Sequence, residues 1–103
     1  MKIVAKLVEM IDDEIDGARE YAALAHEERA EHPRLADKLI DLATAEIGHM
    51  KTLHAEVTKL IEEIKERDGE PPADMMAIYR YEHDKQVKRA AIVRQMINEY
   101  QND

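Results

Sequence analysis

Apolar residues recur along this chain at every third or fourth position, the spacing of an amphipathic helix, and no stretch alternates as a strand would. Taking every third and fourth residue from the start gives Ile3, Leu7, Met10, Glu14, Gly17, Tyr21 and Leu24. A second run reads Leu35, Leu39, Leu42, Glu46, His49, Leu53, Leu60 and Ile64, with Glu56 or Val57 at the missing step. A third reads Met76, Tyr79, His83, Val87, Ala90, Val93, Ile97 and Tyr100. The runs are separated by two groups of helix-breaking residues. At His32-Pro33 the residue before proline is pushed out of the helical region, while proline suits a first helical position. At Asp68-Gly69-Glu70-Pro71-Pro72, glycine supplies a stop and the prolines a fresh start.

The pattern therefore predicts an all-α chain forming one domain over residues 1–103, with helices at about 2–31, 33–67 and 72–101. The first two, joined by a tight turn, are expected to lie antiparallel as a long hairpin. The third helix has a freer connection. The second helix also carries a further apolar row, Ala43, Ile47, Met50, His54, Val57 and Ile61, which implies a second neighbour, either the third helix or another copy of the chain.

The interruptions of these stripes are more informative than the stripes themselves. Glu46 and His49 are three residues apart, which puts them one turn apart on one side of a helix. A carboxylate and an imidazole so placed can grip one ion with oxygen and nitrogen donors, a set that suits first-row divalent metals. A hairpin folded about residue 32 brings together positions whose numbers add to about 64, so Glu14 falls level with the pair to within about a turn. With 14 glutamates and five histidines, chance alone supplies roughly one Glu-x-x-His. The weight rests on its position in mid-seam, opposite another seam carboxylate. Carboxylates held together away from water need a proton, a cation or water. The alternative is that each acid sits at the edge of its stripe and reaches solvent or a lysine.

Composition narrows the chemistry. There is no cysteine, so thiolate ligation and disulfides are excluded. The net charge is −8, with 18 acids against 10 bases up to Pro71 and five of each from Pro72 onward. That balance disfavours nucleic acid as a partner and mildly favours cations. No segment approaches the ~18–20 apolar residues of a membrane span, and none resembles a signal peptide, so a soluble cytoplasmic protein is expected. No phosphate-binding glycine loop, cysteine nucleophile or serine triad is present.

The segment Glu14-Ile-Asp-Gly-Ala-Arg-Glu-Tyr21, followed by Glu46-Ile-Gly-His49, resembles the first half of the ferritin-like superfamily, as in rubrerythrins and encapsulated ferritins. In those proteins a first-helix glutamate is similarly followed seven residues later by tyrosine, and then by Glu-x-x-His on the second helix. The resemblance covers the first two helices. It departs in the third, which carries no second Glu-x-x-His, so one chain offers half of a dinuclear site. The encapsulated-ferritin pattern implies that two hairpins meet across a two-fold axis into a ferritin-like four-helix bundle, giving four Glu and two His around two irons. Zinc or manganese would fit the same donors. The function implied is iron handling, with ferroxidase activity or with binding alone; the alternative is a metal-free helical assembly or adaptor module.

The resemblance matches Glu14, Glu46 and His49 to ligands; Tyr21, two turns from Glu14 on the same seam, reads either as a hydrogen-bond donor to a liganding carboxylate or as a plain core tyrosine. His83, which interrupts the third stripe, reads as a buried histidine hydrogen-bonded to backbone or a carboxylate, or else as a ligand or a partner of one, and Glu20 is a rival to Glu14 lying about 120° off its line. His54, in the second row, reads as a packing residue or a ligand. Glu56, one seam step beyond Leu53, reads as a carboxylate on the path of incoming ions.

Overall fold

A computed structural model describes all residues, 1–103, as three helices: α1 (Lys2–Glu28), α2 (Pro33–Asp68) and α3 (Ala73–Gln101). The boundaries follow the punctuation closely. His32 takes an extended backbone (φ −133°, ψ 65°) ahead of Pro33, which opens α2. Gly69 closes α2 with φ +82° and ψ −174°, a conformation essentially restricted to glycine, and its N–H bonds the Lys65 carbonyl. The first helix ends at Glu28, three residues before its expected end, in a turn where the His32 N–H reaches the Glu28 carbonyl at 2.7 Å.

The direction of each helix is fixed by the contacts across the bundle. Glu14 and Gly17 of α1 lie against His49 and Glu46 of α2, so these two run antiparallel. Gln86 bonds Val8 and Asp12, while His26 and Arg29 reach the carbonyls of Met96 and Tyr100, so α3 runs parallel to α1. Against α2, His54 meets His83 and Asp37 meets Tyr100, again antiparallel. The result is an up-down-up bundle about 55 Å long and 19 by 18 Å across.

The core is built from residues in strict three-four spacing: Ile11, Ile15, Ala18, Ala22 and Ala25 on α1, Ala43, Ile47, Met50, Val57 and Ile61 on α2, and Met76, Ala90, Val93, Ile97 and Tyr100 on α3. Several alanines are wholly buried, and their small side chains let the axes approach closely. Here the structure corrects the expected seam. The row beginning at Ile3 is not the interior of the hairpin: Ile3 is 52% exposed, and Met10, Leu24, Leu35 and Leu42 are exposed as well. Both helices carry two apolar rows. With three helices, the row of alanine and β-branched residues turns inward to meet α3, and the expected seam is split: Leu39 is buried and Leu7, Leu53 and Leu60 pack on the core, while the exposed residues form the hairpin's outer flank.

The third stripe is corrected in the same way. Gln86 is buried and Val87 is 52% exposed, the reverse of the expected assignment. Gln86 donates to the Val8 carbonyl at 3.0 Å and to Asp12 at 3.1 Å, and Arg89 bridges Asp12 and Asp16 beside it. At the C-terminal end of α3, the Tyr100 hydroxyl donates to Asp37 at 2.6 Å, while the Arg29 guanidinium lies 4.1 Å from the Tyr100 ring centre. Two polar clamps, one at the middle of α3 and one at its C-terminal end, therefore hold it onto the hairpin.

Candidate metal centre

Glu14, from the middle of α1, and Glu46 and His49, from the middle of α2, converge at one level of the hairpin. One donor atom from each lies within 4.8 Å of the other two. His49 Nδ1 is 3.4 Å from Glu14 Oε2 and 4.0 Å from Glu46 Oε1. Two donors that share a first-row ion at about 2.1 Å each can be at most about 4.2 Å apart, so both spacings fit a shared ion. The antiparallel register that brings these residues together is the one expected from the hairpin turn, to within one position.

The electrostatics are those of an uncompensated acid pair. Each glutamate side chain is 25% exposed, whereas His49 is 61% exposed. Glu14 Oε2 is itself buried and has no hydrogen-bond partner. The Glu46 carboxyl is raised above the ordinary carboxylate range, first by sharing a hydrogen with Glu14, then by burial and by the Glu14 charge, with His49 pulling it back. No lysine or arginine pairs with either acid, while each side chain keeps a quarter of its surface in solvent. A divalent cation bound by these donors would remove both the repulsion and the orphaned oxygen.

Gly17 makes room for this arrangement. A methyl group there would lie 3.4 Å from Glu46 Oε2, in contact with the carboxylate, and any longer side chain would occupy its place.

The other sequence candidates lie elsewhere. Tyr21 is half-buried against the core, and its hydroxyl donates to neither glutamate. Glu20 and Glu56 are exposed, and Glu56 pairs with Lys59 at 3.6 Å. His54 and His83 are on the opposite flank of α2, where His54 Nε2 and His83 Nδ1 are 3.0 Å apart with their rings stacked. Neither belongs to the Glu14 cluster, because His54 follows His49 by five residues, about 140° around the helix. The three-four register running from Met76 through His83 and Gln86 to Tyr100 would have picked out Gln86, a residue the stripe reading passed over.

No helix is long and apolar enough to cross a membrane. Compared with known proteins, the chain matches no family model, no curated protein and no solved structure.

Proposed function

We propose that the protein binds a divalent metal ion, iron foremost, through Glu14, Glu46 and His49, and that a second copy of the chain completes the site. The observation that carries this reading is the buried, unpartnered Glu14 Oε2 within ion-sharing distance of His49 and beside a second carboxylate. A carboxylate oxygen buried without a partner is costly, and oxygen and nitrogen donors in this ratio suit iron, manganese or zinc.

The case for a second copy rests on position. Three residues leave coordination positions open, and the cluster sits in the outward row flanked by Met10, Leu24, Leu35 and Leu42. Isologous pairing of that flank buries these side chains and sets two clusters face to face across the axis. Four carboxylates then balance two divalent ions. This is the arrangement the ferritin-like resemblance of the first two helices implies. Iron held there would supply redox chemistry, Fe(II) giving an electron to dioxygen or peroxide, as in ferroxidases. Glu14 and Glu46 would supply the anionic oxygens and His49 the nitrogen that keep the ion in place.

Metal analysis of protein purified from iron-supplemented cells tests the site: about one ion per chain is expected, and none in Glu46→Ala. Timed Fe(II) oxidation by both proteins separates turnover from storage. Metal-free protein that is unaltered by Glu46→Ala would replace this reading with that of a helical assembly module.

A further inference from the structure

On the flank of α2 away from Glu14, a groove of about 200 Å³ opens between α2 and α3, floored by Ile11 of α1. Its apolar surface is completed by Met50, Val87 and Ala90. Around this surface stand the stacked pair His54 and His83, with Lys51 and Arg94 at the rim. None of the residues lining the groove is acidic, although the chain as a whole has 23 acids against 15 bases. Lys51 and Arg94, like most bases of the chain, make no ion pair with a carboxylate, so both charges are available to a ligand. Two cationic groups without counter-ions and two imidazoles therefore share one concave apolar surface.

We infer that this groove is a binding site for a small carboxylate anion with a compact apolar body, the carboxylate meeting Lys51 and Arg94 and the body lying on Met50, Val87 and Ala90. The charge pattern decides against a second metal site. No carboxylate joins His54 and His83, the one cluster of three or more ligand side chains is the Glu14 group, and two fixed positive charges oppose an incoming cation. Gln86 is at the groove wall but its amide N–H groups are committed to Val8 and Asp12, so recognition falls to the two cations and the imidazoles. His54 Nε2 and His83 Nδ1 are engaged with each other at 3.0 Å, so whichever ring donates, the pair keeps one outer ring N–H that can donate to a carboxylate. Arginine matches a carboxylate geometrically with two parallel N–H donors, and lysine adds a point charge. The groove is smaller than the pockets that hold drug-sized ligands, so the fitting ligand is no larger than about one ring with its carboxylate.

The site is independent of the metal centre, and the test keeps the two apart. Benzoate is titrated into the metal-free full-length protein while the ring C–H signals of all five histidines are followed by NMR. Saturating shifts of His54 and His83 at about millimolar benzoate are expected, the affinity that a ligand of this size reaches, with His49 unmoved. Benzyl alcohol, which keeps the ring and lacks the charge, and inorganic phosphate, which keeps the charge and lacks the ring, should each bind at least fivefold more weakly. Both rim residues are exposed, so K51Q/R94Q should fold normally and bind benzoate at least fivefold more weakly. Equal binding of benzoate and benzyl alcohol, an unchanged affinity in K51Q/R94Q, or shifts that never saturate would each overturn the assignment.

Discussion

Gly17 of α1 and Glu46 of α2 face each other with no side chain between them, so that a methyl group at position 17 would rest 3.4 Å from Glu46 Oε2. That distance is an ordinary contact for alanine and a collision for anything branched. Gly17→Ala should therefore leave metal binding intact and stabilise α1 by about 0.5–1 kcal/mol, the usual gain over glycine in a helix interior. Gly17→Val should displace the Glu46 carboxylate and weaken metal binding by roughly 10–100-fold, the loss seen when the groups that hold a ligand are disturbed. Isothermal titration of the two variants with Fe(II) or Zn(II), beside thermal melts, separates these outcomes.

The acid pair sets a distinct pH dependence in the metal-free protein. Glu46 is raised in the folded state, so its contribution to stability is present below its unfolded value near 4.5 and lost as pH rises through the folded value. At neutral pH the two carboxylates repel each other. Glu46→Gln should raise the melting temperature in the presence of a chelator by roughly 2–5 °C and abolish metal binding at the same time. A variant that melts lower at neutral pH would mean the glutamates are not in repulsive contact.

His54 works in the opposite direction. Its folded value is lowered, mainly by burial and then by His83, so the stability it supports is full above about pH 6.5 and is lost as pH falls through the folded value. Acidification from pH 7 toward 5 should therefore destabilise the wild type through this residue. His54→Gln should flatten that part of the profile in chemical denaturation measured across the same range.

Gln86 ties α3 to α1 from a fully enclosed position. Gln86→Ala should cost about 1–3 kcal/mol through lost hydrogen bonds and a cavity. Gln86→Met keeps the volume, and Asp12 keeps its bond from Arg89 at 2.9 Å, so the loss should be smaller. Urea denaturation of the pair gives the comparison.

Much of this architecture could be read before any coordinates. Proline 33 and glycine 69 marked the helix ends, because each imposes a backbone conformation on its neighbourhood whatever the tertiary context. The antiparallel register followed from the turn, and with it the meeting of Glu14, Glu46 and His49. What stayed hidden was which of two apolar rows would face inward. Ile3 and Val4, or Leu42 and Ala43, are neighbouring apolar residues, and only the arrival of α3 decides which of them turns inward. The same choice governs helix three, where Val87 is the more apolar residue but Gln86 holds the inward position and finds partners on α1. Hydrophobicity ranks residues singly, whereas burial is settled by the whole set of neighbours.

The offset between His49 and His54 around α2 has a practical corollary. Five residues advance the helix by about 7.5 Å and turn it by about 140°, so one rod displays an imidazole to each of two chemically separate compartments. With no tryptophan and no cysteine in the chain, these rings are native spectroscopic labels. A diamagnetic cation such as zinc at the proposed Glu14 site and an anion at the proposed groove would then be read from the signals of different histidines.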